Sequence, residues 1–204
     1  MTKSDEIKIQ CWNNAMQTFG YSYIFSRRAR FYAKWLRVLT LLGILVPLII
    51  GTAATGYGTD SNLLKSLIWV SVPLSIFQIT ISAFALVNKW EDMSSYSLEA
   101  VANYDMLSEK FRSLAKIEPE NEEDILNLIK EFDNLNSHYN YRSQQDVKYL
   151  ITEREKRIGM RWALRDFQRQ CAACHEVPVS MESTECPVCG QFKKTLISKI
   201  IYHG

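Results

Sequence analysis

Two stretches near the front of the chain carry no charged residue, and they limit the fold more than any other feature. The first, Val38 to Thr55 (VLTLLGILVPLIIGTAAT), is 18 residues long; the second, Leu67 to Val87 (LIWVSVPLSIFQITISAFALV), is 21. A hydrocarbon core about 30 Å thick takes roughly 20 apolar residues at about 1.5 Å of rise each. The second run meets that length, and the first meets it when Leu36 and its neighbours add a turn. Backbone in lipid finds no water to bond, so a spanning run must be helical or part of a closed barrel. Neither run alternates apolar with polar residues, so helices are predicted. The link Gly56–Ser66 is short and holds one Asp and one Lys, which makes 38–87 an antiparallel transmembrane hairpin of spans 38–55 and 67–87. The competing reading is a buried hairpin of a soluble domain, where uncharged runs this long are rare.

Charge sets the expected orientation. Residues 1–37 hold seven Lys/Arg against two Asp/Glu, and the cluster Arg27, Arg28, Arg30, Lys34 and Arg37 abuts the first run as a set of membrane-surface anchors. The link has Lys65 as its one basic residue. The bias of Lys and Arg toward the cytoplasmic side puts the N-terminus in the cytoplasm, and two crossings return the rest of the chain there. Trp35, Trp69 and Trp90 lie near the ends of the runs, where indole rings favour the lipid–water boundary. The charged lead and the mid-run Pro47 do not fit a signal peptide, and no lipidation motif is evident.

Outside the hairpin the pattern is helical. Residues 4–18 read as an amphipathic helix capped by Ser4 and broken at Gly20. The aromatic and basic segment Tyr21–Trp35 suits either a stretch lying on anionic headgroups or the cytoplasmic stem of the first span. After Val87 an apolar stripe Leu98, Val101, Tyr104, Leu107, Phe111 and Leu114 suggests that the second span runs on as a stalk as far as Pro119. A second stripe follows at Ile125, Leu128, Ile129, Phe132 and Leu135. Asn134–Ser143 is then expected to be a kink or loop, and a third stripe uses Val147, Leu150, Ile151, Ile158, Trp162 and Phe167. Stripes of this kind need partners, so 88–169 is predicted to be a cytoplasmic helical bundle, with 1–37 as a separate N-terminal helix. The charged runs read as solvated faces; the basic run Arg154 to Arg169 leaves nucleic acid open as a partner.

Four of the five cysteines form one motif: Cys171-Ala-Ala-Cys174, eleven residues, then Cys186-Pro-Val-Cys189-Gly190. Two Cys two apart fold back as a knuckle, and two knuckles supply the four thiolates of a closed tetrahedral zinc site. The intervening residues suit a short hairpin, giving a zinc ribbon over 170–204, with Gly190 supplying a positive φ. Four Cys leave no open position for catalysis, and metal is expected to supply the folding energy of so short a segment. His175 reads as exposed and Cys11 as a small apolar residue.

Inside the runs, Ser71, Ser75, Gln78 and Ser82 share one helical face, as do Thr40, Gly43, Pro47, Gly51 and Thr55. Two uses stay open for these polar positions: lining a pore between copies, or helix-to-helix packing. Pro47 and Pro73 are expected to kink their helices. No ionisable residue lies within either run, which argues against an ion-coupled transporter. No phosphate-binding glycine loop, Ser/His/Asp set or HExxH occurs, so an enzyme is not expected.

The lead-in RRARFYAKWLR, the two close apolar helices and the helical extension resemble the SLATT family of bacterial membrane effectors. The C-terminal CxxC, eleven residues, CxxC resembles the zinc-ribbon variant of mobile elements, the mobilome CxxCx(11)CxxC proteins. The resemblance implies a bacterial inner-membrane protein of antiviral conflict systems. It would assemble as a homo-oligomer and permeabilise the membrane once a sensor or signalling partner triggers it. The expectation is therefore an all-α membrane protein with a transmembrane hairpin, a cytoplasmic bundle and a Zn2+ ribbon. It would act on lipid as a pore-forming effector, or as a membrane-anchored adaptor whose ribbon binds protein or nucleic acid.

Overall fold

The computed structural model describes residues 2–57 and 62–192. These are 79% helical, with no strand among them. Five α-helices follow in order: α1 (Lys3–Tyr57), α2 (Asn62–Val87), α3 (Trp90–Ala115), α4 (Glu122–Asp146) and α5 (Glu153–Asp166), with a 3-10 turn Val147–Tyr149 between the last two. The chain forms two compact units, one of Met1–Arg27 with Ser97–His203 and the other centred on Arg28–Tyr96.

In the first unit, α1 contributes a buried seam with small residues at its middle. Ile7, Cys11, Ala15, Thr18, Ser22 and Phe25 are buried at spacings of four, four, three, four and three. A matching seam on α3 holds Ser97, Ala100, Tyr104, Leu107, Ser108, Phe111 and Leu114. Small side chains let two helices approach closely. Here the Ser108 hydroxyl donates to the Ala15 carbonyl at 2.9 Å. Contacts of Lys8 with Glu118 and of Phe25 with Tyr104 make the pair antiparallel. Helix α4 packs antiparallel on α3 through Phe132 against Phe111 and through Asp146, which accepts from the Tyr104 hydroxyl. Helix α5 lies antiparallel on α1 beside α3, with Trp162 stacked on Tyr23 at 4.3 Å and Phe167 against Trp12 and Phe19. The Arg112 guanidinium of α3 lies 4.1 Å from the centre of the Phe167 ring and pairs with Asp166 at 3.2 Å.

Several sequence expectations are corrected in this unit. Gly20 does not break α1; it lets α5 in. A Cβ on Gly159 would stand 2.7 Å from the Gly20 carbonyl oxygen, so a glycine at that crossing keeps the backbones together. Thr2, not Ser4, caps α1: its hydroxyl accepts from the Asp5 N–H, while Ser4 is buried. The segment 134–143 is no loop, since α4 runs through it. Its residues are poor helix formers, but the buried Leu135 and Arg142 tie that stretch to the bundle. The third stripe begins late. Val147 and Leu150 are exposed because the chain turns there, and α5 starts afresh at a Thr152–Glu155 capping box. Leu98, the first residue of the α3 stripe, is exposed as well. The charged runs are not all solvated, since Arg142, Asp146 and Arg161 are buried.

The second unit holds both apolar runs. Each lies in a helix long and apolar enough to cross a membrane, and only 6% of the most apolar 18-residue window of each is buried. The core helix of a soluble protein would bury most of such a window. Of the link Gly56–Ser66, residues 58–61 fall outside the described residues, and the rest extends the two helices. Neither Pro47 nor Pro73 ends its helix. Helix α2 does not continue into α3. It stops at Val87, Lys89 takes a left-handed φ of 51°, and Trp90 opens a new helix. There Phe31, Tyr32, Phe84 and Trp90 form a cluster of rings, and Arg30, Lys34 and Arg37 are exposed on the same stretch of α1.

Candidate metal centre

The four motif cysteines meet although eleven residues separate the knuckles. Their Sγ atoms all lie within 4.8 Å of one another, with Cys171 to Cys186 and Cys174 to Cys189 both at 3.8 Å. A tetrahedral site with metal–sulfur bonds of about 2.3 Å has edges of about 3.8 Å, so the four sulfurs fit one ion. Cys171, Cys186 and Cys189 are buried and Cys174 is half-buried.

Each knuckle is closed by the backbone. The His175 N–H donates to the Cys171 carbonyl at 2.9 Å, and the Gly190 N–H donates to the Cys186 carbonyl at 3.0 Å. The chain then turns left-handed at His175 (φ 57°) and at Gln191 (φ 52°). Gly190 therefore has a different role from the one expected. Its φ is ordinary, but a Cβ there would stand 2.4 Å from the Thr184 carbonyl oxygen. Glycine is needed for space. The expected hairpin leaves no strands among the described residues; two backbone contacts, Cys171 N–H to Glu176 and Gln191 N–H to Thr184, hold the loop instead. Residues 193–204 of the expected ribbon lie outside the described residues.

Backbone electrostatics favours thiolates unequally. The N–H groups of Cys189 and Val188 point at the Cys186 sulfur and bring that thiol down to about 6. Cys189 is pushed the other way, first by burial and then by the sulfurs around it. Four thiolates this close repel one another, and a cation among them removes the conflict. His175 is exposed and outside the cluster. Cys11 is buried on α1, where desolvation raises its thiol to about 11.

The module borrows its core. Cys171, Cys186 and Cys189 pack with Leu164, and Met16 and Met160 close over them. Sequence reasoning missed Arg161, which is buried on α5. Its Nε donates to the Ser180 carbonyl at 2.7 Å, and one Nη donates to the Cys189 carbonyl at 3.2 Å and approaches the Cys189 sulfur at 3.9 Å. A signal existed: Arg161 lies three residues from both Ile158 and Leu164, on the apolar face of α5.

The polar candidates of the hairpin divide. Gln78 is half-buried, and its amide donates to the Leu39 carbonyl of α1 at 3.4 Å, beside Gly43. Ser71 and Ser75 are half-buried, with the Ser71 hydroxyl bonded to its own helix at Ile68. Ser82 is exposed, as is the stripe Thr40, Gly43, Pro47, Gly51 and Thr55. Arg27 and Arg28 are half-buried on α1.

Fold and site together define an all-helical protein with two long apolar helices and a four-cysteine site able to bind a metal ion. The chain belongs to the mobilome CxxCx(11)CxxC protein family, whose sequence profile matches residues 8–192. No curated protein and no solved structure matches it.

Proposed function

We propose that this is a non-enzymatic protein of the bacterial inner membrane, anchored by α1 and α2, with both termini in the cytoplasm and Zn2+ held by Cys171, Cys174, Cys186 and Cys189. The observation that carries the membrane reading is the exposure of the apolar helices. Ile44, Leu48, Val70, Ile76, Phe77 and Ile79 are each more than half exposed. Each such side chain gains roughly 1.5–3 kcal/mol on leaving water, so a bilayer supplies what the fold does not. The exposed arginines and the ring cluster beside Trp90 suit a headgroup boundary. Zinc suits four thiolates in a closed site.

Copies of the hairpin then assemble and breach the membrane, as an effector in conflicts involving mobile elements. Support comes from the exposed Pro47, Gly51 and Thr55 of α1, where a second hairpin can approach closely, and from the mobilome family to which the chain belongs. The basic lead-in and hairpin resemble SLATT effectors. Purified oligomer in dye-loaded liposomes tests it: leakage is expected, and tight vesicles under every activating condition tried would reject it.

A second reading has its own observation. Gln78, the largest polar group at mid-depth, is spent inside its own hairpin on Leu39. A hairpin that satisfies itself suits a membrane-anchored adaptor whose metal module binds a protein or nucleic acid. Affinity capture with Cys186→Ser as the control separates the two readings: a partner lost in the variant favours the adaptor.

A further inference from the structure

Arg161 poses a problem that the bundle does not solve. It is 5% exposed. Its guanidinium carries a positive charge. A buried charge without a counter-charge is strongly destabilising. Among the described residues no carboxylate forms an ion pair with it; its partners are the neutral oxygens of Ser180, Cys189 and Thr184, and the Cys189 sulfur. The anion it faces must then be the sulfur cluster.

We infer that Arg161 is the charge partner of the metal centre and the residue that seats it on α5. A divalent ion with four thiolates carries a net charge of minus two. Burying that charge against Leu164, Met16 and Met160 is costly. The guanidinium offsets part of the charge through the Cys189 sulfur, and holds the second knuckle by the Cys189 carbonyl. The Ser180 carbonyl fixes its other edge, so one planar group ties the loop to the helix. Partners outside the ligand set orient the ligands and commonly change metal affinity ten- to a hundredfold when removed. Arg161 is thus a positioning residue. It does not coordinate the ion.

The inference rests on the four cysteines forming a divalent tetrathiolate centre, and the test separates the two claims. Full-length protein in detergent is titrated with Co2+ under reducing conditions, and the sulfur-to-cobalt charge-transfer band is followed. If the wild type gives no tetrahedral thiolate spectrum, the metal reading itself fails. If it does, R161Q should bind about tenfold or more weakly and show a shifted band. R161K, which keeps the charge without the planar fork, should recover most of the affinity but not the band position. R161Q matching the wild type within about twofold with an unshifted band overturns the inference, as does R161K binding as weakly as R161Q. Should R161Q lose its helical signal, Arg161→Met, similar in length and uncharged, takes its place.

Discussion

A buried polar network joins α3 to α4. The Tyr104 hydroxyl donates to Asp146, and Arg142 pairs with Asp146 at 3.3 Å and with Glu99 at 2.9 Å. Burial raises the Tyr104 hydroxyl far above its usual value, and its bond to Asp146 adds to the shift, so it stays a donor. Removing one member of a buried ion pair costs roughly 3–5 kcal/mol, more than the pair contributes relative to an apolar replacement. Arg142→Met should therefore lower the thermal unfolding midpoint sharply in circular dichroism, while Arg142→Met with Asp146→Asn recovers part of the loss. A double variant whose loss equals the sum of those of Arg142→Met and Asp146→Asn alone would show that the pair is not coupled. The sulfur cluster gives a second expectation. Metal binding requires thiolates, so protons compete with it. Cys189, raised without metal, is the first site at which the proton gains, and below about 6 Cys186 protonates as well. Occupancy should fall as pH drops through about 6, read as loss of the Co2+ charge-transfer band. A flat trace would mean that the band does not come from these thiolates.

At the scale of elements, glycine separates packing from propensity. Alanine is favoured over glycine in a helix by about 1 kcal/mol, but overpacking costs roughly 1–3 kcal/mol. On Gly159 the new Cβ meets Gly20 backbone at 2.7 Å and Ile24 at 2.8 Å, whereas on Gly51 it meets nothing within 4 Å. Gly159→Ala should lower the melting temperature by several degrees and Gly51→Ala should not; the reverse order would place the α1–α5 crossing elsewhere. The same comparison explains what the sequence made legible. Charge-free runs and cysteine spacing are local patterns, so both apolar helices and the four clustered thiols were readable directly. Periodicity also marked the faces of α3 and α4 that bury Tyr104, Phe111, Leu128 and Leu135. The rest depended on partners distant in sequence. Gly20 reads as a breaker until Gly159 is beside it, Arg161 reads as surface until Ser180 and Cys189 accept from it, and the poor helix formers of 134–143 are held helical by tertiary contacts. The stop between α2 and α3 hangs on Lys89 in a left-handed conformation, which few sequence signals announce.

On the scale of the whole molecule, the chain divides its stabilising forces. The unit of Met1–Arg27 with Ser97–His203 has a packed helical core and a cluster of thiols fit for an ion. The unit centred on Arg28–Tyr96 has helices whose apolar faces look outward, with Trp69 83% and Leu86 80% exposed. Lipid is the proposed cover for those outward faces. The direct measurement is extraction of membranes from cells expressing the full chain with alkaline carbonate, which strips peripheral proteins and leaves integral ones. The protein should stay in the pellet and leave it only with detergent. Recovery in the carbonate supernatant, as a folded species, would contradict the account at its centre.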